Sequence, residues 1–494
     1  MNKIKILFLT LSFILIIVFL GRNLNPFSSR MFQFHDETQP ARVQQFTSNL
    51  KRLEIPPRVA YDFDQKKGYP VFNFYSPFAY WVTSFINLTG LSIIVSLKLS
   101  FLLALLTAFL GTFLFFRLVF DFYPALLGGI FYVTSLYFPV DIFVRGNLAE
   151  IWFLALLPLG FYFILLNSQK PNKLTFFFGT LILSFIFTSH NIYSLISIPI
   201  IIIFSFLLKN KRQNLLMLGS SLLLTAYFWL PALTEMKYTI AKEMAAKTNF
   251  HDHFLCWWQL WQSPWGFGGS TAGCIEDGIS FMIGKIQIIF FVLGSAFFAF
   301  NYFKCHSRPH SGTGSSGNPE QKALDPRFHG NDKHVQIRLI LLYFVVSTIL
   351  LLFLTTYQSQ FIWNFFSPLM SVIQFPWRFI GISLLGIVFL SSYFFQKLKI
   401  PLKNFFTIFI IISVLIINGK HFYGKEINNN TFEKKYLSQE YIQNKAALAI
   451  PEYFPNENVK IRYGKTEIEK VGNLISVITM ILLLIYILKK SKHK

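Results

Sequence analysis

Three consecutive ionisable residues near the N-terminus have side chains suited to catalysis. His35, Asp36 and Glu37 follow shortly after the first long apolar run. A carboxylate at Asp36 could act as a general base toward an acceptor hydroxyl, while its neighbours tune it or help to hold a divalent cation. Alternatively, Asp36 is a solvated loop acid or a helix cap. Arg42 lies six residues later, and helical periodicity does not force it toward Asp36, so its role stays open.

Further ionisable residues lie at the ends of apolar segments, where charge is costly unless it is paired or functional. Arg145 and Glu150 could neutralise each other at the start of a helix, or bind substrate. Arg378 could extend to lipid headgroups or clamp a phosphate. His190, in a tight turn, is either an interface histidine or a ligand. These four residues are therefore candidates for substrate binding.

A tryptophan-rich segment lies in the middle of the chain, with four tryptophans between residues 257 and 265. Trp257 and Trp261 could stack on sugar rings or lie on the bilayer as part of an aromatic belt. Cys256 and Cys274 border this segment and could form a disulfide. The histidines and cysteines of the chain lack the spacing of metal ligands, so no metal site is predicted.

The composition indicates that these residues are positioned by a membrane protein. Of 494 residues, 53% are hydrophobic and only 14% are charged, and the mean hydropathy is +0.48. Membrane lipids are therefore the expected surroundings. The net charge of +22 is spread over many short loops and tails. Because it forms no single basic stripe, nucleic-acid binding is not expected.

Long apolar runs predict an all-α polytopic transmembrane bundle of about 12 spans. Lysines cluster in the short segments that follow alternate spans, which places both termini in the cytoplasm by the positive-inside rule. The predicted spans are residues 4–20, 94–116, 123–140, 149–166, 174–188, 191–208, 214–233, 286–303, 338–356, 379–396, 402–418 and 472–488.

The polar parts of this single membrane domain, 1–494, are few and long. The composition of residues 304–337 predicts a disordered cytosolic linker. The second half of this segment resembles the translated repeat peptides that are inserted into some bacterial reading frames. The remaining polar parts are three external loops, at residues 22–93 (with an interfacial helix near 77–93), 234–285 and 419–471.

The chain resembles a bacterial polytopic membrane family labelled 6-pyruvoyl-tetrahydropterin synthase-related. The pterin enzyme itself is a small soluble zinc protein, and its three-histidine site has no counterpart here, so pterin chemistry is not expected. The matching residues are His35-Asp36 with Arg42, Gly68-Tyr69-Pro70 through Asn73-Phe74-Tyr75, Arg145-Gly146 through Glu150, Ser189-His190-Asn191, Trp229-Leu230-Pro231-Ala232 and Phe375-Pro376-Trp377-Arg378.

An acidic motif in the first external loop of such a chain is also similar to the GT-C superfamily of membrane glycosyltransferases, which use polyprenyl-phosphate-linked sugar donors. This resemblance implies a GT-C-like bundle in the bacterial inner membrane, with Asp36 at the position of the catalytic acid. The donor phosphate would then lie on Arg145 or Arg378. Residues 1–494 are not expected to include a large C-terminal soluble domain of the kind that some of these enzymes carry.

Two other functions fit the same sequence. A transporter or flippase for a lipid-linked or polar substrate predicts ionisable groups at mid-membrane and repeated spans broken by Gly or Pro. A non-catalytic envelope assembly protein predicts external loops that bind protein instead of sugar.

Overall fold

A computed structural model describes residues 3–33, 35–247, 249–306, 327–399, 403–456 and 464–489. Within these residues, eight helices are long and apolar enough to cross a membrane, or up to nine if a bent pair counts as one span. This confirms the all-α polytopic bundle. The eight are Lys3–Leu20, Ile93–Arg117, Phe122–Arg145, Leu148–Gln169, Lys285–Phe303, Val335–Leu354, Pro376–Lys397 and Glu467–Leu488.

The other predicted spans correspond to shorter or broken helices. Lys211–Leu224 and Ala226–Tyr238 form the bent pair, with an angle of 66° between them. Lys173–Phe187, Asn191–Phe206 and Phe405–Gly419 are apolar but shorter. A count of about 12 crossings thus stays a prediction, since eight or nine helices meet the length and composition of a span.

Burial separates central helices from lipid-facing ones. The most apolar part of Phe122–Arg145 is 100% buried and that of Pro376–Lys397 is 89% buried. For Lys3–Leu20 and Lys285–Phe303 the buried share is only 17%. Apolar side chains that are not buried by protein require lipid around them, so these two helices form part of the outer surface of the bundle.

Phenylalanine rings fill the centre of the bundle. Phe344 and Phe389 stack with centroids 4.3 Å apart, and Phe115 packs against both. Aromatic pairs of this kind stabilise a core beyond the area they bury.

The three long polar segments meet at one end of the bundle, which we call the loop end. Strand Arg30–Gln33 of the first segment pairs antiparallel with strand Lys425–Asn428 of the third. The second segment joins the third where the Asn456 amide donates to the Tyr238 carbonyl. The short helices of this end are Gln39–Lys51, Val71–Phe74, Phe78–Leu88, Ala241–Lys247, Gln360–Phe365, Ser367–Ile373, Asn429–Tyr436 and Gln439–Asn444.

A disulfide joins Cys256 to Cys274, a pairing that the sequence left open. The predicted linker is shorter than expected at both ends, because helices Lys285–His306 and Arg327–Leu354 extend into residues 304–337. A helix propagates past its apolar part more easily than it nucleates, which explains these extensions. Residues 307–326 lie outside the described residues.

Candidate functional site

The acidic segment His35–Glu37 lies directly on the end of the buried helix that finishes at Arg145. The His35 amide donates to the Val144 carbonyl at 3.1 Å, and the Asp36 amide donates to the Arg145 carbonyl at 2.9 Å. Gly146 follows with φ of +65°, a left-handed conformation that favours glycine and ends the helix. The carbonyls freed at this helix end therefore fix the backbone of Asp36.

The carboxylate of Asp36 is held by neighbouring side chains and remains partly open to solvent. Its Oδ1 accepts from Thr38 Oγ1 at 3.3 Å and its Oδ2 accepts from Gln39 Nε2. Arg42 Nη2 lies 3.8 Å from Oδ1, and the side chain of Asp36 is 25% exposed. Its described hydrogen bonds come from side chains and not from helix amides, so Asp36 does not act as a helix cap.

Arg42 is buried beside Asp36, although periodicity alone did not place it there. Its Nη1 donates to the Tyr80 hydroxyl at 2.9 Å, and its guanidinium lies 4.5 Å from the centre of the Tyr75 ring. Burial, and then the charge of Asp36, raise the pKa of Tyr75 to about 12. The Tyr75 hydroxyl thus stays protonated at neutral pH.

A second charged group surrounds Arg145. Its Nη1 donates to Asp141 Oδ1 at 2.6 Å and to Glu150 Oε2 at 2.5 Å. Arg145 and Glu150 do pair, as one alternative predicted, but Asp141 shares the same guanidinium. Glu150 Oε1 also accepts from the hydroxyls of Tyr137 and Tyr193. The negative charges of two buried carboxylates are therefore balanced by direct contact with one arginine.

Arg378 completes the group from the start of another central helix. Its Nη1 donates to the Ile373 carbonyl at 2.5 Å, and it lies within electrostatic reach of Glu150 and Arg145. The ring centre of Trp377, the residue before Arg378, lies 4.8 Å from the Arg145 guanidinium. We call Asp36, Arg42, Asp141, Arg145, Glu150 and Arg378 the charged cluster.

His190 lies at the edge of the charged cluster as a neutral residue. It is buried, and its Nδ1 accepts from the Tyr193 amide at 3.3 Å, which caps helix Asn191–Phe206. Burial lowers the pKa of His190 to about 3. At physiological pH it therefore supplies no positive charge for a phosphate.

Four of the predicted site residues have side chains whose described contacts lie outside the charged cluster. Glu37 is half-exposed and lies 3.6 Å from Lys435 of the third segment. His35 Nε2 donates to the Phe267 carbonyl at 2.6 Å and so links the first segment to the tryptophan-rich one. Trp257 and Trp261 are exposed and contact Trp258 and Lys285, respectively.

Sequence reasoning missed several members of the site. Asp141 was not singled out, although an acid inside an apolar run is itself a signal of function. Tyr75 and Trp377 lay in motifs of the resemblance but were given no role, and Tyr137 and Tyr193 carried no signal because aromatic residues are common throughout this chain.

The structure was also searched for side chains that could bind a metal ion. In the part of the chain that the structure describes, no group of three or more His, Cys, Asp or Glu side chains could hold one. No step of the reaction is therefore assigned to the divalent cation that the acidic motif suggested.

The chain was compared with protein families, solved structures and curated proteins. Residues 72–308 match the 6-pyruvoyl-tetrahydropterin synthase related domain, described as a membrane protein. The crystal structure of the Archaeoglobus fulgidus oligosaccharyltransferase, in its apo form, is similar with a TM-score of 0.49 and 12% sequence identity. The match covers 96% of this chain and 64% of that chain, so the present chain spans less than two thirds of its length. Curated proteins gave no significant match. The family whose motifs the chain resembles is thus the one whose model matches residues 72–308.

Proposed function

We propose that this protein is a GT-C-like glycosyltransferase that moves a sugar from a polyprenyl-phosphate donor to an external acceptor. The observation that carries the proposal is the juxtaposition of a partly exposed carboxylate, Asp36, with buried arginines. A base that solvent can reach and a cationic site for a phosphate are the two groups that such a transfer needs.

Unpartnered buried atoms support the assignment of a ligand site to the charged cluster. Within the described residues, Arg42 Nε, Arg378 Nε and Asp141 Oδ2 are buried and have no hydrogen-bond partner. Buried polar atoms are nearly always paired, so such atoms call for a specific explanation. Two donors and one acceptor in one cluster are suited to an anionic, hydroxylated ligand such as a sugar phosphate.

The reaction that fits these groups is a single displacement. Each oxygen of Asp36 accepts one described side-chain hydrogen bond, which leaves capacity to accept a proton from the acceptor hydroxyl. The acceptor oxygen then forms a bond to the anomeric carbon on the face opposite the phosphate, while the bond to the phosphate oxygen breaks. The polyprenyl phosphate leaves with the electron pair, and Arg378 and Arg145 stabilise its charge.

An apolar groove offers space for part of the lipid tail. It has a volume of about 440 Å³ and lies between helices Lys173–Phe187, Lys211–Leu224 and Glu467–Leu488. Thr188 lines the groove, two residues before His190 at the edge of the charged cluster. A prenyl chain in this groove would bring its phosphate toward the cluster.

Two observations support an external position for the loop end. The disulfide between Cys256 and Cys274 is of a kind that persists in oxidising compartments. The short segments at the opposite end carry clustered lysines, as cytoplasmic loops do. The proposed location is the bacterial inner membrane, with the site at its outer face.

The 66° break in the bent pair is the feature that favours the alternative of a transporter or flippase. However, the charged cluster lies at helix ends. Asp141 and Arg145 lie in the last turns of one central helix, and Glu150 lies in the first turn of the next. A site at the membrane surface is suited to an enzyme whose acceptor comes from solution.

Substitution of Asp36 by Asn tests the proposal. A deletion strain would be complemented with wild-type protein, Asp36→Asn or Asp64→Asn, and its glycolipids and glycoproteins measured by mass spectrometry. Asp64 is a matched control because it lies in the same segment, is 31% exposed and pairs only with Lys67 among the described ion pairs. We expect a sugar product with the wild type and the control, and none with Asp36→Asn. Full product with Asp36→Asn would rule out this mechanism, and no product with any variant would favour a transporter or assembly protein.

A further inference from the structure

Two short helices at the loop end present an uncharged, apolar outer face. Gln360–Phe365 and Ser367–Ile373, which we call the paired helices, connect the apolar helices that end at Leu354 and begin at Pro376. The sequence has no Lys, Arg, Asp or Glu from residue 339 to 377. The large exposed side chains are Phe361 (66%), Phe365 (80%), Phe366 (48%), Leu369 (50%) and Val372 (47%).

The inner face of the paired helices is firmly packed. Trp363 is fully buried, and its Nε1 donates to the Leu354 carbonyl at 3.0 Å. Its ring lies 5.3 Å from that of Phe250 and 5.9 Å from that of Phe379. A buried tryptophan with its donor satisfied fixes the orientation of a short helix. The exposed side chains are therefore held outward and cannot fold into the core.

Five large apolar side chains on one surface need an apolar partner. Burial is worth roughly 25 cal/mol for each Å² removed from water, and soluble monomers rarely expose large contiguous apolar patches. The surface also continues directly from two helices that are apolar enough to cross the membrane. The helices on both sides are long and apolar enough to cross a membrane, so we expect the short connection between them to lie near the membrane boundary.

We propose that the paired helices insert into the outer leaflet, where their exposed side chains contact the acyl chains of lipids. The lack of charge favours lipid over a charged protein surface, and it removes any requirement for anionic headgroups. Asn364 and Ser367, which are also exposed, can meet the headgroups. This surface is separate from the groove beside Thr188.

The paired helices are also bonded to the charged cluster. Ile373, the last residue of the second helix, accepts from Arg378 Nη1, and Gln374 adopts φ of +65° immediately after it. If the proposed function holds, lipid on the paired helices lies on the Arg378 side of the site.

Fluorescence quenching tests the insertion without any measurement of sugar transfer. The full chain would carry Cys305→Ser, so that the cysteines of the disulfide are the only others, together with Phe365→Cys labelled with an environment-sensitive dye. Phe361→Cys is a second position in case the first variant does not fold. Glu440→Cys is the control, because Glu440 is 73% exposed on the polar third segment. The protein would be placed in phosphatidylcholine vesicles with nitroxide-labelled acyl chains.

We expect at least about a twofold loss of fluorescence at Phe365→Cys or Phe361→Cys, since the label would lie among acyl chains, and no loss at Glu440→Cys. The same loss of fluorescence at all three positions, or no loss at any of them, would overturn the proposal. If the Phe365→Cys label stayed exposed to water in lipid alone and became shielded only after membrane proteins were added, the proposal would also be overturned, in favour of a protein partner. A protein that transfers no sugar but shows the expected quenching would contradict the proposed function alone.

Discussion

The backbone amide of Asp36 donates a hydrogen bond to the carbonyl of Arg145, 109 positions later in the chain, at 2.9 Å. This bond joins the partly exposed acid to the end of a buried helix whose side chains carry the other charges of the site. The position of the carboxylate therefore depends on the integrity of the Arg145 region, and the two can be tested separately.

Replacement of Arg145 by Gln should destabilise the protein strongly. Asp141 and Glu150 would lose their shared cation, and an unpaired buried charge costs about 3–5 kcal/mol. Thermal unfolding of the detergent-purified protein would measure the change. Arg30→Gln is the control, since Arg30 forms an exposed pair with Glu426 that is worth about 1 kcal/mol or less. Equal effects of the two substitutions would show that the charges around Arg145 are not tightly coupled.

Replacement of Arg378 by Gln should reduce transfer more than stability. The described hydrogen bonds of Arg378 go to a carbonyl and an amide oxygen, so no carboxylate loses a direct partner. If Arg378 stabilises the leaving phosphate, kcat/KM should fall by about 10²-fold or more. Arg22→Gln is a matched control at the loop end, because Arg22 also donates to a carbonyl, that of Phe422. Unchanged kcat/KM in Arg378→Gln would remove this residue from the mechanism.

Loss of the disulfide should loosen the tryptophan-rich segment. The bond joins cysteines separated by 18 positions, and closing a loop of this size is worth about 3 kcal/mol. Limited proteolysis of Cys256→Ser with Cys274→Ser should cut between residues 257 and 273 faster than in the wild type. Cys305→Ser should behave as the wild type, since Cys305 is not part of this bond. The same cleavage rate in all three proteins would mean that packing alone holds the segment.

Acid should destabilise the protein through His190. Burial lowers its pKa to about 3 in the folded state, against an ordinary value of about 6.5 in the unfolded chain. Below pH 6.5 the unfolded state binds a proton that the folded state excludes, so stability is present above this pH and falls as the pH drops toward 3. Between pH 7 and 5 the loss should be about 2 kcal/mol.

His190→Asn provides the comparison, because Asn can keep the helix cap without titrating. Its melting temperature should fall less than that of the wild type between pH 7 and 5. Parallel curves for the two proteins would show that His190 is hydrated when folded.

The eight long helices were predictable because each is an apolar run, and runs of this kind have few alternative structures in a bilayer. The residues 191–208 predicted as a span correspond closely to helix Asn191–Phe206. The contact between Asp36 and Arg42 was not predictable, since helix Gln39–Lys51 begins after Asp36 and helical periodicity does not apply to that pair. The bond between Asp36 and Arg145 depends on backbone groups, which carry no sequence signal.

Because strand Arg30–Gln33 pairs with strand Lys425–Asn428, the site can be completed only late in the synthesis of the chain. The ribosome makes the first strand, just ahead of the acidic segment, long before its partner. At about 5–20 residues per second, the intervening chain takes roughly 20 s or more to synthesise. Until then strand Arg30–Gln33 lacks its partner strand, so a chain cut short by a stop codon could insert many of its helices and still leave Asp36 poorly held. Activity would then report on the completion of synthesis as well as on membrane insertion.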